Sequence, residues 1–314
     1  MYIAQTFRYL HDWWRYLIGF LLAFGASQLG ALPLIIAVFF KMMSEGRGIE
    51  ELEDDPYQMM NVLDSNLTLF LMLLGFAFGM LVLYFVIKWL HKQPFRTVTT
   101  TRKKTDWGRI WFGFFLVVIT TTVLTLIDHF SNSEEIILQF DLVPFLILAV
   151  IAIVMLPLQT SFEEYLFRGY LMQGIGVMAK NRWVPLLVTS LFFGGLHFWN
   201  PEVDKIGNII MLYYIGTGLF LGIMTLMDEG MELALGFHAG NNIIAALLIT
   251  ADWTVFQTHS VFKDMSEPTA GFDILIPVLV IYPIFLGLMA WRYKWRNWKD
   301  KLFGRVDPPP IESS

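Results

Sequence analysis

Six side chains able to transfer protons or to donate hydrogen bonds lie within long apolar stretches of this chain. They are, in chain order, Glu163, Glu164, Arg168, His197, His238 and Asn242. Carboxylates and imidazoles exchange protons with reacting groups, and amide and imidazole N–H groups donate hydrogen bonds. Ionisable groups at membrane depth are costly, so each is a candidate functional residue by default. The residue types therefore suit acid–base chemistry.

Each part of this set also has a purely structural explanation. Glu164 and Arg168 are four residues apart, share a helix face and could form an ion pair that holds the helix near the membrane surface. His197 could be a packed, hydrogen-bonded histidine. His238 and Asn242 are also four apart and could form a polar contact between helices.

The predicted depth of these residues favours a shared site. A helix rises about 1.5 Å per residue, so the distance of each residue along its predicted helix from the cytoplasmic end can be estimated. This distance is about 13 Å for Glu163, about 20 Å for His197 and about 9 Å for His238. Three separate helices thus bring a carboxylate pair, two imidazoles and an amide to a similar level. Glu163 has no local partner on its own helix, so its partner must come from elsewhere in the fold.

The elements that must position these residues are apolar helices. Hydrophobic residues make up 56% of the 314 residues and charged residues 16%, whereas a soluble domain has about 25% charged residues. About 20 apolar residues cross a bilayer as a helix. Candidate spans cover roughly 17–42, 67–90, 110–128, 142–172, 184–199, 208–227, 232–250 and 274–291. The sequence predicts an all-α polytopic membrane protein with about eight transmembrane helices. Residues 1–16, rich in Trp and Arg, predict an N-terminal interfacial helix.

The distribution of Lys and Arg predicts the orientation of these helices. If the N-terminus is cytoplasmic, all but four of the 22 Lys and Arg residues fall on the cytoplasmic side, as membrane proteins prefer. The exceptions are Lys41, Arg47, Lys205 and Lys263. The opposite loops are acidic, as in residues 49–55 and at Glu134 and Glu135. We expect an integral protein of the plasma (inner) membrane with both termini cytoplasmic.

Composition also limits the possible chemistry and partners. The chain has no cysteine, which excludes disulfides, thiolate metal ligands and a cysteine nucleophile. The net charge of −5 gives no electrostatic footprint for nucleic acid. Pairs of glycines four residues apart predict closely packed helices. These pairs are Gly75 with Gly79, Gly218 with Gly222, and Gly236 with Gly240.

At the polar positions the chain resembles the CPBP family of intramembrane endopeptidases, which includes CAAX proteases and bacteriocin-processing proteins. The family signature is EExxxR, then FxxxH, then HxxxN, and all three motifs occur here in that order. The matching residues are Glu163, Glu164 and Arg168, then Phe193 and His197, then His238 and Asn242. The extended form EExxFRGxL is also matched, through Leu171. The resemblance covers roughly 142–250, the expected catalytic core of a single membrane domain spanning 1–314.

The resemblance implies hydrolysis of a peptide bond in a membrane-associated protein or peptide, at a site open toward the cytoplasm. The lipid bilayer and such a substrate are the expected partners, and nucleic acid is not. The resemblance further implies that Glu163 and His197 activate a water molecule. Glu164 and Arg168 would hold the helix and tune the base.

By the same resemblance, His238 and Asn242 would donate hydrogen bonds to the developing oxyanion. The use of a metal stays open. Glu163, His197 and His238 would suit a Zn²⁺ ion with a fourth position for water. However, no HExxH motif is present, and a metal-free glutamate mechanism fits the same residues equally well. No other cofactor is expected.

Two other functions remain as alternatives. The first is a non-catalytic membrane scaffold or immunity factor of the same fold, which binds a partner instead of cleaving it. Intact motifs favour the enzyme, since degraded motifs are typical of such relatives. The second is a transporter that uses the buried carboxylates for ion coupling. A transporter would be expected to contain repeated halves, and the sequence shows none.

Overall fold

The computed structural model describes residues 1–48, 56–132, 134–268 and 271–308, and these are mostly helical. The longer helices are α1 Trp13–Gly30, α2 Leu32–Ser44, α3 Ser65–Phe85, α4 Trp107–Ser131, α5 Leu142–Glu164, α6 Met172–Ala179, α7 Trp183–Gly195, α8 Ile210–Asp228, α9 Glu232–Leu248 and α10 Tyr282–Tyr293. Short helical segments cover Ile3–Arg8, Pro56–Asn61, Val86–Leu90, Phe95–Thr99, Tyr165–Leu171, Pro201–Ile206, Phe272–Leu275, Pro277–Ile281 and Trp298–Phe303.

All eight apolar segments predicted from the sequence are helical, which confirms the all-α polytopic membrane fold. Within the described residues, five stretches are long and apolar enough to cross a membrane. They are Trp13–Ser44, Ser65–Leu90, Trp107–Ser131, Leu142–Ala179 and Ile210–Asp228. The other three predicted spans coincide with α7, α9 and Pro277–Tyr293, which are shorter. In α9 no residue is exposed, so this helix is surrounded by protein and need not match the full bilayer thickness.

The loops at one end of the helix bundle carry many of the charge pairs, and we call this end the basic end. It comprises residues 91–106, 180–182, 228–231 and 294–306. Arg102 pairs there with Asp228 at 2.7 Å and with Glu232 at 2.9 Å. Lys301 pairs with Glu229 at 2.5 Å. These long-range pairs join loops that lie far apart in the sequence to one another.

The N-terminal residues differ from the predicted interfacial helix over 1–16. A 3-10 helix covers Ile3–Arg8, and α1 begins only at Trp13. Tyr2 is 1% exposed, and its backbone N–H donates to Glu229 at the basic end. Tyr2 and Ile3 are buried, so Ile3–Arg8 packs against the bundle, whereas Trp13 and Trp14 at the start of α1 are exposed. Val306 donates to the Lys180 carbonyl, so the first residues and the last described residues both lie at the basic end.

A layer of buried polar side chains closes the basic end beneath the bundle, and we call it the polar layer. Its members are Thr6, His91, Gln93, Thr97, Thr99, Thr100 and Gln173. The amide nitrogen of Gln93 donates to Gln173 at 3.0 Å, and that of Gln173 donates to the Thr97 carbonyl at 2.9 Å. A ring nitrogen of His91 lies 2.8 Å from the Tyr170 hydroxyl. Hydrogen bonds within the layer offset the free-energy cost of burying its polar groups.

The opposite end carries a small sheet that the sequence did not predict, and we call this end the sheet end. Its strands are β1 Ile136–Leu138, β2 Ile249–Ala251 and β3 Phe262–Asp264, in the order β1-β3-β2. The central strand β3 is antiparallel to β1 and parallel to β2. The acidic segment 49–55, predicted to lie on this side, is outside the described residues.

Two glycines show why the small-residue pairs are needed, and the close packing predicted for them is confirmed. A Cβ added at Gly236 of α9 would lie 1.8 Å from the backbone oxygen of Ile110 in α4. A Cβ at Gly218 would lie 2.9 Å from the backbone oxygen of Ser190. These distances leave no room for a side chain, so α9 lies directly against α4. This contact fixes the helix that carries His238 and Asn242.

Candidate active site

The first motif lies where the helical pitch changes. Helix α5 ends at Glu164 and continues directly as a π-helix over Tyr165–Leu171. π-turns are rare and frequently occur at functional sites. The two adjacent carboxylates face different surroundings, because the side chain of Glu163 is 13% exposed and that of Glu164 is fully buried.

Glu164 is the centre of a buried charge network. Its Oε1 accepts hydrogen bonds from Arg168 Nη1 at 3.0 Å and from His238 Nδ1 at 2.8 Å. The guanidinium of Arg168 also donates to the Gly218 carbonyl at 3.2 Å and lies 4.2 Å from the centre of the Phe193 ring. The local Glu164–Arg168 pair expected from the sequence is therefore present, but it also fixes a histidine from α9.

His238 connects the two carboxylates. Its Nδ1 is bound to Glu164, and its Nε2 lies 3.4 Å from Oε2 of Glu163. This second contact does not have hydrogen-bond geometry, so Oε2 of Glu163 is buried without a hydrogen-bond partner among the described residues. Oε2 of Glu164 also has no hydrogen-bond partner among the described residues, but only Glu163 of the pair lines a cavity.

His197 follows the end of α7 and is held by two contacts. Its Nδ1 lies 2.8 Å from the Phe193 carbonyl, and its ring stacks on Tyr214 with 4.3 Å between the ring centres. A carbonyl oxygen only accepts, so Nδ1 must carry the proton. In the neutral ring Nε2 then presents a lone pair. The FxxxH spacing is explained by this geometry, because Phe193 supplies the carbonyl that fixes the tautomer.

Asn242 is held by a residue that the sequence motifs do not include. Its Nδ2 donates to Oε1 of Gln159 at 3.0 Å, and its Oδ1 accepts from Asn241 at 3.2 Å. Gln159 precedes Glu163 by four residues and so lies on the same face of α5. A polar amide within an apolar span was the signal that could have identified Gln159 in advance.

The metal ligands predicted for a Zn²⁺ ion do not come together. No three His, Asp or Glu side chains in the described part of the chain are arranged to hold one metal ion. Of the predicted set, Glu163 and His238 are neighbours, whereas His197 does not join them in a group that could hold one ion. In this geometry the residues do not fit a metal centre.

A cavity of about 600 Å³ contains part of the motif. Glu163, His197, Asn242 and Gln159 line it, whereas Glu164, Arg168 and His238 lie behind its wall. A volume in this range suits a ligand site. The prediction that all six residues share the cavity surface is therefore only partly correct. Three of them line it, and the other three support those that do.

The cavity extends from Glu163 toward the sheet end. Its remaining lining includes Trp199 and Glu202, which follow α7, and Val255 and Phe256 beside the sheet. None of its lining residues belongs to the loops of the basic end. The lining therefore does not support the expectation that the site opens on the Lys- and Arg-rich side. The polar layer lies on that side, and the positions of Lys and Arg do not predict the direction of the cavity.

Comparison with known proteins agrees with the motifs. Residues 139–244 match the family described as type II CAAX prenyl endopeptidase Rce1-like, and this stretch contains all six motif residues. The uncharacterized protein YyaK of Bacillus subtilis (strain 168) is 28% identical over 282 residues, which are 90% of this chain and 92% of that protein. No solved structure matches the chain. The resemblance to the CAAX-type intramembrane endopeptidases is thus confirmed for residues 139–244.

Proposed function

We propose that this protein is an intramembrane endopeptidase that hydrolyses a peptide bond of a membrane-associated protein or peptide substrate. The observation that carries the proposal is the carboxylate of Glu163, which lines a cavity together with His197 and Asn242 and has an oxygen without a hydrogen-bond partner. A general base needs an oxygen or nitrogen within reach of the proton that it removes. The family match over 139–244 supports peptide hydrolysis as the use of such a base.

Glu163 would take a proton from a water molecule while the water oxygen attacks the carbonyl carbon of the substrate. The Nδ1–H of His197 donates to the Phe193 carbonyl. Its Nε2 can therefore accept a hydrogen bond from the second O–H group of the same water molecule. The carbon–nitrogen bond then breaks, and Glu163 returns the proton to the leaving amine. The products are a carboxylic acid and an amine.

The remaining motif residues would act on the base and on the oxyanion. Glu164 and Arg168 hold His238 beside Glu163, which supports the proposal that this pair positions and tunes the base. Protonated at Nε2, His238 would stabilise the ionised form of Glu163. The amide of Asn242 has two N–H groups, and Gln159 occupies one. The other is free to donate to the oxyanion as negative charge develops there.

We further propose that residues 142–250 are the catalytic core of a single membrane domain, 1–314. The basic end would face the cytoplasm of the plasma (inner) membrane, with both termini cytoplasmic, because cytoplasmic loops carry the excess of Lys and Arg. In that orientation the cavity receives its substrate from the outer side or from the surrounding lipid.

Substitution of Glu163 tests the proposed base. Glu163→Gln is nearly isosteric and removes the basicity, so cleavage should fall by about 10²–10⁴-fold while the protein stays folded. Purified variants in proteoliposomes can be compared on a library of quenched fluorescent peptides. Glu135→Gln, at an exposed position of the sheet end, is the matched control and should cleave normally. Wild-type cleavage by Glu163→Gln would refute the mechanism.

Asn242→Ala provides a second test at the oxyanion position. Loss of one donor should lower the rate by about 10²–10³-fold. If the protein is instead a scaffold or immunity factor, the wild-type protein cleaves no peptide and Glu163→Gln keeps the wild-type cellular phenotype.

A further inference from the structure

A second buried carboxylate lines the cavity, and the proposed mechanism does not use it. Glu202 lies in the short helix Pro201–Ile206 at the sheet end and is only 8% exposed. Its Oε1 accepts the backbone N–H of Val255 at 2.9 Å. Its Oε2 is buried and has no hydrogen-bond partner within the described ranges. Glu202 therefore presents one unsatisfied acceptor.

No ion pair to Glu202 is found among the described residues, although cations lie close in the sequence or at the same end. Lys205, one turn later on the same short helix, is exposed. Lys263 of β3 instead pairs with Asp252 at 2.8 Å. Burial raises the pKa of the Glu202 carboxyl, because the charged form is deprived of water. A buried anion without a counter-ion is costly, and a cationic ligand would relieve that cost.

The position of Glu202 connects it to the proposed catalytic residues. It lines the same cavity as Glu163 and His197, and it follows His197 by only five residues. Between them, Asn200 donates to the Tyr214 hydroxyl at 3.5 Å, and the Tyr214 ring stacks on His197. The segment that carries the histidine thus also carries the carboxylate, toward the sheet end of the cavity.

We propose that Glu202 determines substrate specificity by binding a cationic group of the substrate at the sheet end of the cavity. This inference rests on the proposed endopeptidase function, since it assigns a substrate class to the same cavity. Either a Lys or Arg side chain or a free N-terminal ammonium carries the required charge and hydrogen-bond donors. Glu202 is a specificity residue, because it binds a part of the substrate that does not react.

Binding of matched peptides separates this inference from catalysis. The probes are four fluorescent peptides of one apolar sequence, with Lys or norleucine at one position and with an acetylated or free N-terminus. Binding is measured by anisotropy to protein in a non-ionic detergent, in the Glu163→Gln background so that no probe is cleaved. Hydrogen bonds to charged groups are strong, and we expect at least one cationic probe to bind about 10- to 100-fold more tightly than the neutral, acetylated norleucine probe.

The variants then assign the preference to Glu202. Adding Glu202→Gln should abolish the preference and leave binding of the neutral probe unchanged. Adding Glu267→Gln removes the same charge from an exposed position of the sheet end and should preserve the preference. The Lys probe and the free N-terminus probe show which cation is recognised. Equal affinities for all four probes, or a preference that survives Glu202→Gln, would overturn the inference. Neither result depends on whether the wild-type protein cleaves a peptide.

Discussion

Glu164 binds two partners through one oxygen atom, so its replacement should affect both stability and activity. Oε1 accepts from Arg168 at 3.0 Å and from His238 at 2.8 Å, and the side chains of Glu164 and Arg168 are fully buried. Glu164→Gln keeps the shape and removes the charge. Arg168 would then remain buried without its counter-ion, a change that costs about 3–5 kcal/mol for a buried pair.

Arg168 keeps two other contacts in the variant, so we expect the loss of unfolding free energy to be at the lower end of that range. The guanidinium keeps its hydrogen bond to the Gly218 carbonyl and its contact with the face of the Phe193 ring. We therefore expect the free energy of unfolding to fall by about 3 kcal/mol, which is roughly a 100-fold change in the folded-to-unfolded ratio. The double variant Glu164→Gln with Arg168→Met removes both charges and should be more stable than the single variant.

The free energy of unfolding can be measured in detergent by denaturant titration, with the fluorescence of the 11 tryptophans as the signal. Peptide cleavage is measured on the same samples, and it should fall in both variants because His238 loses its charged acceptor. The reasoning is wrong if Glu164→Gln unfolds within about 0.5 kcal/mol of the wild type, which is the range of an ordinary surface substitution. It is also wrong if the double variant is less stable than the single one.

Three further predictions concern topology, packing and metal use. Single cysteines at Lys103 and Lys299, both exposed at the basic end, should resist an impermeant thiol reagent in intact cells, whereas cysteines at Glu135 and Glu267 should react; the reverse pattern would contradict the proposed orientation. Gly236→Leu should lower both stability and cleavage, since even a Cβ would lie 1.8 Å from the backbone oxygen of Ile110, and wild-type unfolding of this variant would show that α9 can move away from α4. Chelators should leave cleavage unchanged, because no three suitable side chains in the described ranges are arranged around one ion; an activity lost on chelation and restored by Zn²⁺ would contradict the metal-free mechanism.

Hydropathy and helical spacing were sufficient to predict the elements of this fold that face lipid. The cost of exposing polar groups to lipid requires long apolar helices, and the eight predicted segments are helical for that reason. The N-terminal segment could not be predicted in the same way. Its Trp and Arg residues suit a membrane surface as well as a protein surface, and only the contact of Tyr2 with Glu229 shows that it packs at the basic end.

The identities of the motif residues were predictable from the sequence, but their contacts with one another and with the cavity were not. Spacing places Glu164 and Arg168 on one face, whereas only tertiary packing shows that His238 joins them and that Glu163 faces the cavity. Spacing also gave no measure of how far His197 lies from a common metal position. Gln159 belongs to none of the three motifs, and its contact with another helix becomes visible only in three dimensions.

The polar layer has a consequence for the electrical insulation of the membrane. The cavity extends from the sheet end to the depth of Glu163. Water in the cavity would be at the electrical potential of the solution at the sheet end. The polar layer, which includes the hydrogen-bonded side chains of Gln93 and Gln173, lies at the basic end and does not line the cavity. Much of the transmembrane voltage would then fall across this thin layer, at about 2.3 kcal/mol per elementary charge for each 100 mV. If the cavity holds the proposed hydrolytic site, the polar layer would separate the water of that site from the basic end of the protein.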